Sequence, residues 1–313
     1  MKKIWKLLLA SAVMSLAVCL GMGTAVFAKT ITGELSEDCT WKVDTETGTL
    51  TITGAEIPSM TYPEFMEKGY WSAYESDIQH VYLDGSAWFG LNYATSNVIS
   101  AAGQCGSISW EMDLVNKTLQ VNGTGSASSF PWDAFEDDFA ASYEVILGDQ
   151  ITAWHSRNFS VHTMYIGAGY SADDFRGAVV SASPENPYYS TYDGAVYTKD
   201  FRKLLYYPSR TPLPKLHPDV KVIGKYSILD GIRETLVLPW GVTTIEDQAF
   251  RFTGSPTTQV ILPDTVTSMQ QNHSGGKDCT VLFIYSKSNK AVHSAIGKVT
   301  DYFGEEHLYS KTV

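Results

Sequence analysis

The chain has 313 residues, 44% of them hydrophobic and 18% charged, and its 34 acidic side chains outnumber 23 basic ones for a net charge of −11. That apolar content excludes a disordered chain, and 25 glycines without a triplet period exclude a collagen-like one. The acidic balance argues against a nucleic-acid partner, because phosphate contacts need clustered Lys and Arg.

Three lysines in residues 1–6, an apolar run over 7–20, and then Gly21, Gly23 and Ala25 have the pattern of a secretory signal peptide. Val26 and Ala28 suit the positions a signal peptidase reads, so cleavage is expected near Ala28 and a mature chain from Lys29. No later apolar run reaches the roughly 18 residues of a membrane span, so none is expected in the mature chain. Cys19 is a poor lipidation site, since Val18 stands where a small residue is wanted. Without residues 1–28 the chain keeps 20 basic and 34 acidic side chains, a net charge of −14.

Next comes a duplicated pattern. Cys39, Trp41, Asp44, Leu50 and Gly54 are followed by Cys105, Trp110, Asp113, Leu119 and Gly123, and the pairs Trp41/Trp110, Leu50/Leu119 and Gly54/Gly123 share an offset of 69 residues. Apolar and polar residues alternate on either side of the turns at 44–48 and 113–117, which predicts a hairpin with one buried face and a tryptophan beneath it. Asp44, Glu46 and Gly48 suggest a calcium loop, but the second copy keeps only Asp113, which favours turn chemistry. Trp71 with Tyr74, and Trp132 with Phe135, predict a short helical turn packed on the sheet in each copy.

A finer period follows. Leu147, Ile151, Trp154 and Phe159 have the same spacings as Leu238, Val242, Ile245 and Phe250, and Leu262, Val266 and Met269 restart the frame 24 residues after Leu238. Val220 and Ile223 fit with one residue deleted, and residues 284–291 close the series loosely. Such a period lies in the range of leucine-rich repeats, in which a strand and a return segment bury their apolar positions only by stacking on neighbours. Phe159 and Phe250 are expected to form a ladder on the return side. Residues 192–208 read as an intervening hairpin, and residues 183–187 as a boundary. Leu262, Pro263, Asp264 and Thr265 look like a wall-sorting signal, but Val266 stands in place of its glycine and no basic-ended apolar tail follows.

Taken in order, these residues resemble BspA-type leucine-rich-repeat proteins of bacterial surfaces. They are the Cys, Trp and Asp with Gly48-Thr49-Leu50-Thr51-Ile52, the aromatic cluster, the tract Asp193-Gly194-Ala195-Val196-Tyr197 with Leu204-Leu205-Tyr206-Tyr207-Pro208, and the repeat frame. The resemblance spans roughly residues 35–309. It implies a secreted or surface binding protein, some relatives being adhesins, and it carries over no catalytic residue.

Motifs for chemistry are weak. Gly167, Gly169 and Ala172 match a dinucleotide loop superficially, but Pro184 and Pro187 stop the helix it needs. Seven histidines are scattered without metal-ligand spacing, and residues 169–173 lack the second glycine of a nucleophile elbow. Glu136, Asp137 and Asp138 read as a solvated acidic edge. The mature cysteines Cys39, Cys105 and Cys279 are odd in number, and buried thiols are favoured over a Cys39–Cys105 bridge.

Aromatics are the surplus. Tyr188, Tyr189, Tyr192, Tyr197, Tyr206 and Tyr207 fall within twenty residues, and such rings serve either a core or a binding surface. The expected fold is mainly β, a leucine-rich-repeat solenoid with tandem β-hairpin modules on the N-terminal side. Its expected division is a signal peptide (1–28), two hairpin/repeat modules (29–100 and 101–186), and a hairpin with leucine-rich repeats and a C-terminal cap (187–313). The expected function is non-enzymatic recognition or adhesion by a secreted or cell-surface protein, with a host or bacterial surface protein as partner. No catalytic residue, metal or cofactor is assigned. The alternative is a glycan-binding module using exposed Tyr or Trp, and the third reading is a secreted hydrolase. Ligand contacts, if the tyrosine cluster makes them, fall to Tyr188, Tyr189, Tyr192, Tyr206 and Tyr207.

Overall fold

The computed structural model describes residues 29–57, 67–87, 97–128, 132, 135, 142–156, 160–175, 177–208, 212–229, 234–250, 258–270, 281–286, 288–296 and 308–312. Strands β1 (Thr30–Ser36), β2 (Cys39–Asp44) and β3 (Thr49–Ile57) form an antiparallel meander, and β4 (His80–Ala87) adds in parallel to β3. A parallel neighbour requires a crossover. Trp71 and the 3-10 turn Ser72–Asp77 lie on it, with Trp71 fully buried and edge-on to Trp41 at 5.8 Å. This is the predicted helical turn.

The same unit is built again from β5 (Ser100–Cys105), β6 (Ile108–Asp113) and β7 (Thr118–Gly123), and after β8 (Gly125–Ala127) the parallel strand is β9 (Tyr143–Leu147). With β10 (Ile151–Trp154) paired to β8, β11 (Val161–Ile166) and β12 (Val179–Ala182) extend one sheet to ten strands, in the order β1-β2-β3-β4-β5-β6-β7-β9-β11-β12.

Register explains why the two modules share residues. One inward row reads Gly33, Trp41, Ile52, Leu83 across β1 to β4 and then Gly103, Trp110, Val121, Leu147 across the second unit. Each indole lies over a strand that presents a glycine, where a Cβ on Gly33 would come within 2.5 Å of Trp41 and one on Gly103 within 2.8 Å of Trp110. The cysteines are not equivalent, contrary to the match suggested by sequence. Cys39 pairs with Gly54 as Ile108 pairs with Gly123, whereas Cys105 occupies the place of Ser36. Cys39 is buried, which raises its thiol pKa, Cys105 is half-buried, and Cys279 lies outside the described residues.

Both meander turns are closed by an aspartate. Asp44 Oδ1 accepts from the N–H groups of Glu46 and Thr47, and Asp113 Oδ1 from those of Val115 and Asn116. The bonds from Thr47 and Asn116 hold these carboxyls below the usual aspartate range.

The predicted hairpin has three strands, because β13 (Tyr189–Tyr192) precedes β14 (Ala195–Thr198) and β15 (Lys203–Tyr206). It leads into β16 (Val222–Ile223), β17 (Thr235–Val237), β18 (Thr244–Ile245), β19 (Thr258–Ile261), β20 (Ser268–Met269), β21 (Val281–Tyr285), helix α1 (Lys290–Ile296) and β22 (Leu308–Thr312). Two parallel ladders result, β15-β16-β18-β20 on the end of the hairpin sheet and β17-β19-β21-β22 beside it. Thr244 pairs with Ser268 and Thr235 with Gln259, each 24 residues on, so the sequence period is one turn of the solenoid. Each coil has two short strands where one strand and a return segment were expected. The chain is thus a mainly β leucine-rich-repeat solenoid.

The frame residues point inward. Leu147, Ile151, Trp154, Val220, Ile223, Leu238, Val242, Ile245, Leu262, Val266 and Met269 are all buried. Corresponding turns carry N–H to C=O bonds from Ile151 to Gly148, Val220 to His217, Val242 to Pro239 and Val266 to Pro263. The tract resembling a sorting signal is therefore one of these turns, with Leu262 in the core. Phe250 packs edge-on to Phe283 at 5.6 Å, and Phe159 lies outside the described residues. At 183–187, where a boundary was expected, buried Asn186 donates to the carbonyls of Gly167 and Tyr170 and accepts from the N–H groups of Tyr188 and Tyr189.

Candidate functional site

The tyrosine cluster divides into buried and exposed rings. Tyr189 and Tyr207 are buried, and Tyr206 is half-buried with its ring 5.1 Å from Phe175. Their hydroxyls donate to main-chain carbonyls, Tyr189 to Ser171 at 2.8 Å, Tyr206 to Ala178 at 3.0 Å and Tyr207 to Pro214 at 2.6 Å. Burial raises the phenol pKa of Tyr189 and Tyr207, and that of Tyr197 to about 12. Tyr189 and Tyr206 thus belong to the core of the N-terminal sheet, and Tyr197 and Tyr207 to that of the repeats. Tyr188, 54% exposed, and Tyr192, 37% exposed and 5.0 Å from the His217 ring, are the two of the five that open to solvent.

Among the described residues, the most exposed tryptophan was not among the residues singled out by sequence. Among the described tryptophans, 41, 71, 110, 132 and 154 are buried, while Trp240 is 73% exposed. Local chemistry puts it there. Leu238 turns into the core, the turn 239–242 reverses the chain, and Gly241 takes φ +123°, a conformation open to glycine. The corresponding turn one coil later has Asp264 in that place. The signal in the sequence was a tryptophan standing off the repeat frame between Pro239 and Gly241.

Just before Trp240, Val237 points outward and is 59% exposed. It is in register with Ile261 and Ile284, both half-buried, so an aliphatic row crosses the outer face of β17, β19 and β21. In-register Thr235, Gln259 and Leu282 form the adjacent row. The repeats also carry ion pairs on their surface, Lys203 with Glu246 and Lys225 with Asp247. Burial acts to raise the Glu246 carboxyl, but Lys203 Nζ at 2.7 Å and the Lys225 N–H at 2.9 Å overcome it, leaving the pKa below the usual range.

Groups suited to bond-making do not assemble into a relay among the described residues. His80 Nδ1 lies 2.8 Å from Ser100 Oγ, but the facing Asp113 is the partner of Ser100 across β5 and β6, and its carboxylate holds the turn. His155 and Asp174 form a partly exposed pair at 3.4 Å. No group of three His, Cys, Asp or Glu side chains among the described residues could hold a metal ion. Gly167 and Gly169 pack against residues 148–150 of the preceding coil, with the Gly169 N–H bonded to the Asp149 carbonyl at 2.7 Å. Residues 136–138 lie outside the described residues. No helix among the described residues is long and apolar enough to cross a membrane.

No protein-family model matches the chain, and no curated protein matches it. Among solved structures it is similar to a leucine-rich repeat protein from Eubacterium ventriosum, at 17% identity and a TM-score of 0.44, covering 83% of this chain and 73% of that one. It is also similar to the pneumococcal vaccine antigen PcpA, at 12% identity and a TM-score of 0.35, covering 91% of this chain and 99% of that one.

Proposed function

We propose that the protein is an exported recognition protein that binds a host or bacterial surface protein and performs no chemistry on it. The observation that carries this is the exposure of Trp240, three residues past Val237, which heads the outward row of Val237, Ile261 and Ile284. A large exposed aromatic ring is typical of a protein-binding hot spot, and an in-register row of outward aliphatic side chains gives apolar surface for a contact. The solenoid supplies rigidity, so the patch enters binding with little ordering cost. The leader-like residues 1–28 support export and a place outside the cytoplasm.

The test is capture from extracellular-matrix and bacterial-surface extracts, with wild type and Trp240→Ala immobilised in parallel. A partner retained by wild type, and weakened about 30-fold or more by the substitution, is expected of a hot-spot anchor. Equal retention by both proteins, or no partner at micromolar concentration, overturns the proposal.

A further inference from the structure

At the opposite end of the chain, the outer face of β1, β2 and β3 holds a trough of about 490 Å³ lined by Thr32, Gly33, Glu34, Thr40, Trp41, Lys42, Thr51 and Thr53. Its outward side chains stand in two rows fixed by register. One runs Thr32, Lys42, Thr51 and on to Tyr82 of β4, and the other Glu34, Thr40, Thr53 and on to Asp84. The hydroxyls of Thr32, Thr40, Thr51 and Thr53 bond to no described residue. Threonines elsewhere do structural work, as Thr265 does on the Val242 carbonyl at 2.8 Å and Thr198 on Asp200 at 2.7 Å. Tyr82 is 40% exposed, and its neighbour on β5 is Ala102, whose methyl group covers little of a ring.

The arrangement is not a by-product of the module. In the second copy the same places hold Ala102, Glu111, Gln120 and Ile146 in one row and Gln104, Ser109 and Asn122 in the other. The aromatic ring, the lysine and all four threonines belong to the first copy alone.

We propose that the trough and Tyr82 form a saccharide-binding subsite for a neutral pyranose chain. Each threonine both donates and accepts, Lys42 donates, and Glu34 and Asp84 accept, a mixture that fits hydroxyl groups and no single charged headgroup. Threonine methyls and the Tyr82 ring supply apolar surface for the C–H face of a sugar. Two carboxylates against one amine, in an acidic chain, disfavour an anionic glycan.

Saturation-transfer NMR on the chain from Lys29 onward tests this with cellotriose, maltotriose and triacetylchitotriose at about 1 mM, where a weak site still fills. Trigalacturonate serves as the anionic counterpart. Transfer to at least one neutral trisaccharide is expected, with affinity falling at least tenfold in Tyr82→Ala and in the Thr40→Val/Thr53→Val double variant, and unchanged in Trp240→Ala. The double variant keeps β-branched side chains, so it remains informative if Tyr82→Ala fails to fold. No transfer to any neutral probe, equal transfer in wild type and double variant, or preference for trigalacturonate overturns the assignment. Loss in Trp240→Ala would move the sugar to the other patch and overturn it as well.

Discussion

Gly33 and Trp41 show how one residue sets the width of a layer. A β-sheet gives each inward side chain a fixed plot, and an indole exceeds it unless the neighbouring strand offers bare backbone. Ring atoms of Trp41 occupy the space a Gly33 Cβ would need, and the Trp41 Nε1–H meets no acceptor among the described residues. Gly33→Ala is expected to destabilise by about 1–3 kcal/mol through overpacking. In a Trp41→Phe background, where the clashing part of the ring is gone, the same change should be milder by at least about 0.5 kcal/mol. Urea unfolding of the four proteins of this cycle checks it, and strict additivity would show that the glycine is there for another reason. This contact could not be read from sequence. The offset of 69 residues aligned the tryptophans, but the strand that lies over them is known only once register is known, and the irregularity between Glu34 and Ser36 shifts the glycines out of that offset.

At the scale of elements, legibility followed length. The meander strands alternate over six residues or more and announced themselves, as did the frame leucines. Strands of two residues, such as β16, β18 and β20, are too short to show a period, so the second ladder of each coil was expected only as a return segment. The three-stranded hairpin was half legible for the same reason, since β13 starts two residues after Pro187 and does not alternate strictly. What the hairpin does is seat phenols. Tyr197 has its pKa raised to about 12 and Tyr207 is raised by the same burial, so the folded state holds these protons more tightly than the unfolded state near 10. The stability they contribute is complete below about pH 10 and declines as pH rises through the folded values. Tyr207→Phe removes one titrating phenol together with its bond to Pro214, at a cost of about 1 kcal/mol near neutrality. Thermal denaturation should therefore show the gap between wild type and Tyr207→Phe narrowing from pH 8 to pH 11. A constant gap would mean that the phenol ionises in the fold as it does in the unfolded chain, and a widening gap that the fold favours its phenolate; either would contradict the raised pKa.

Across the whole molecule, the solenoid separates two jobs by direction. Inward positions of each ladder build a spine shared by consecutive coils, and outward positions are free to differ, which is why Trp240 and Asp264 can occupy one turn in successive coils. Sequence periodicity reports the spine and is silent about the outside, so the fold was legible and the outward positions, including the proposed contact row, were not. Val237 and Val260 put this to a direct test, because they sit on neighbouring strands of one ladder and face opposite ways. Val260→Asp places an unpaired carboxylate among Leu236, Phe283 and the frame leucines, and should destabilise by several kcal/mol, since isolated charges are not tolerated in a packed core. Val237→Asp changes only the exposed row and should leave the unfolding midpoint within about 0.5 kcal/mol of wild type. If the proposed protein partner exists, its capture should nevertheless weaken, because a charge would interrupt the outward row of Val237, Ile261 and Ile284. Comparable destabilisation by both substitutions would mean that the outward row is covered in the folded protein, and the contact surface would then have to lie elsewhere on the coils.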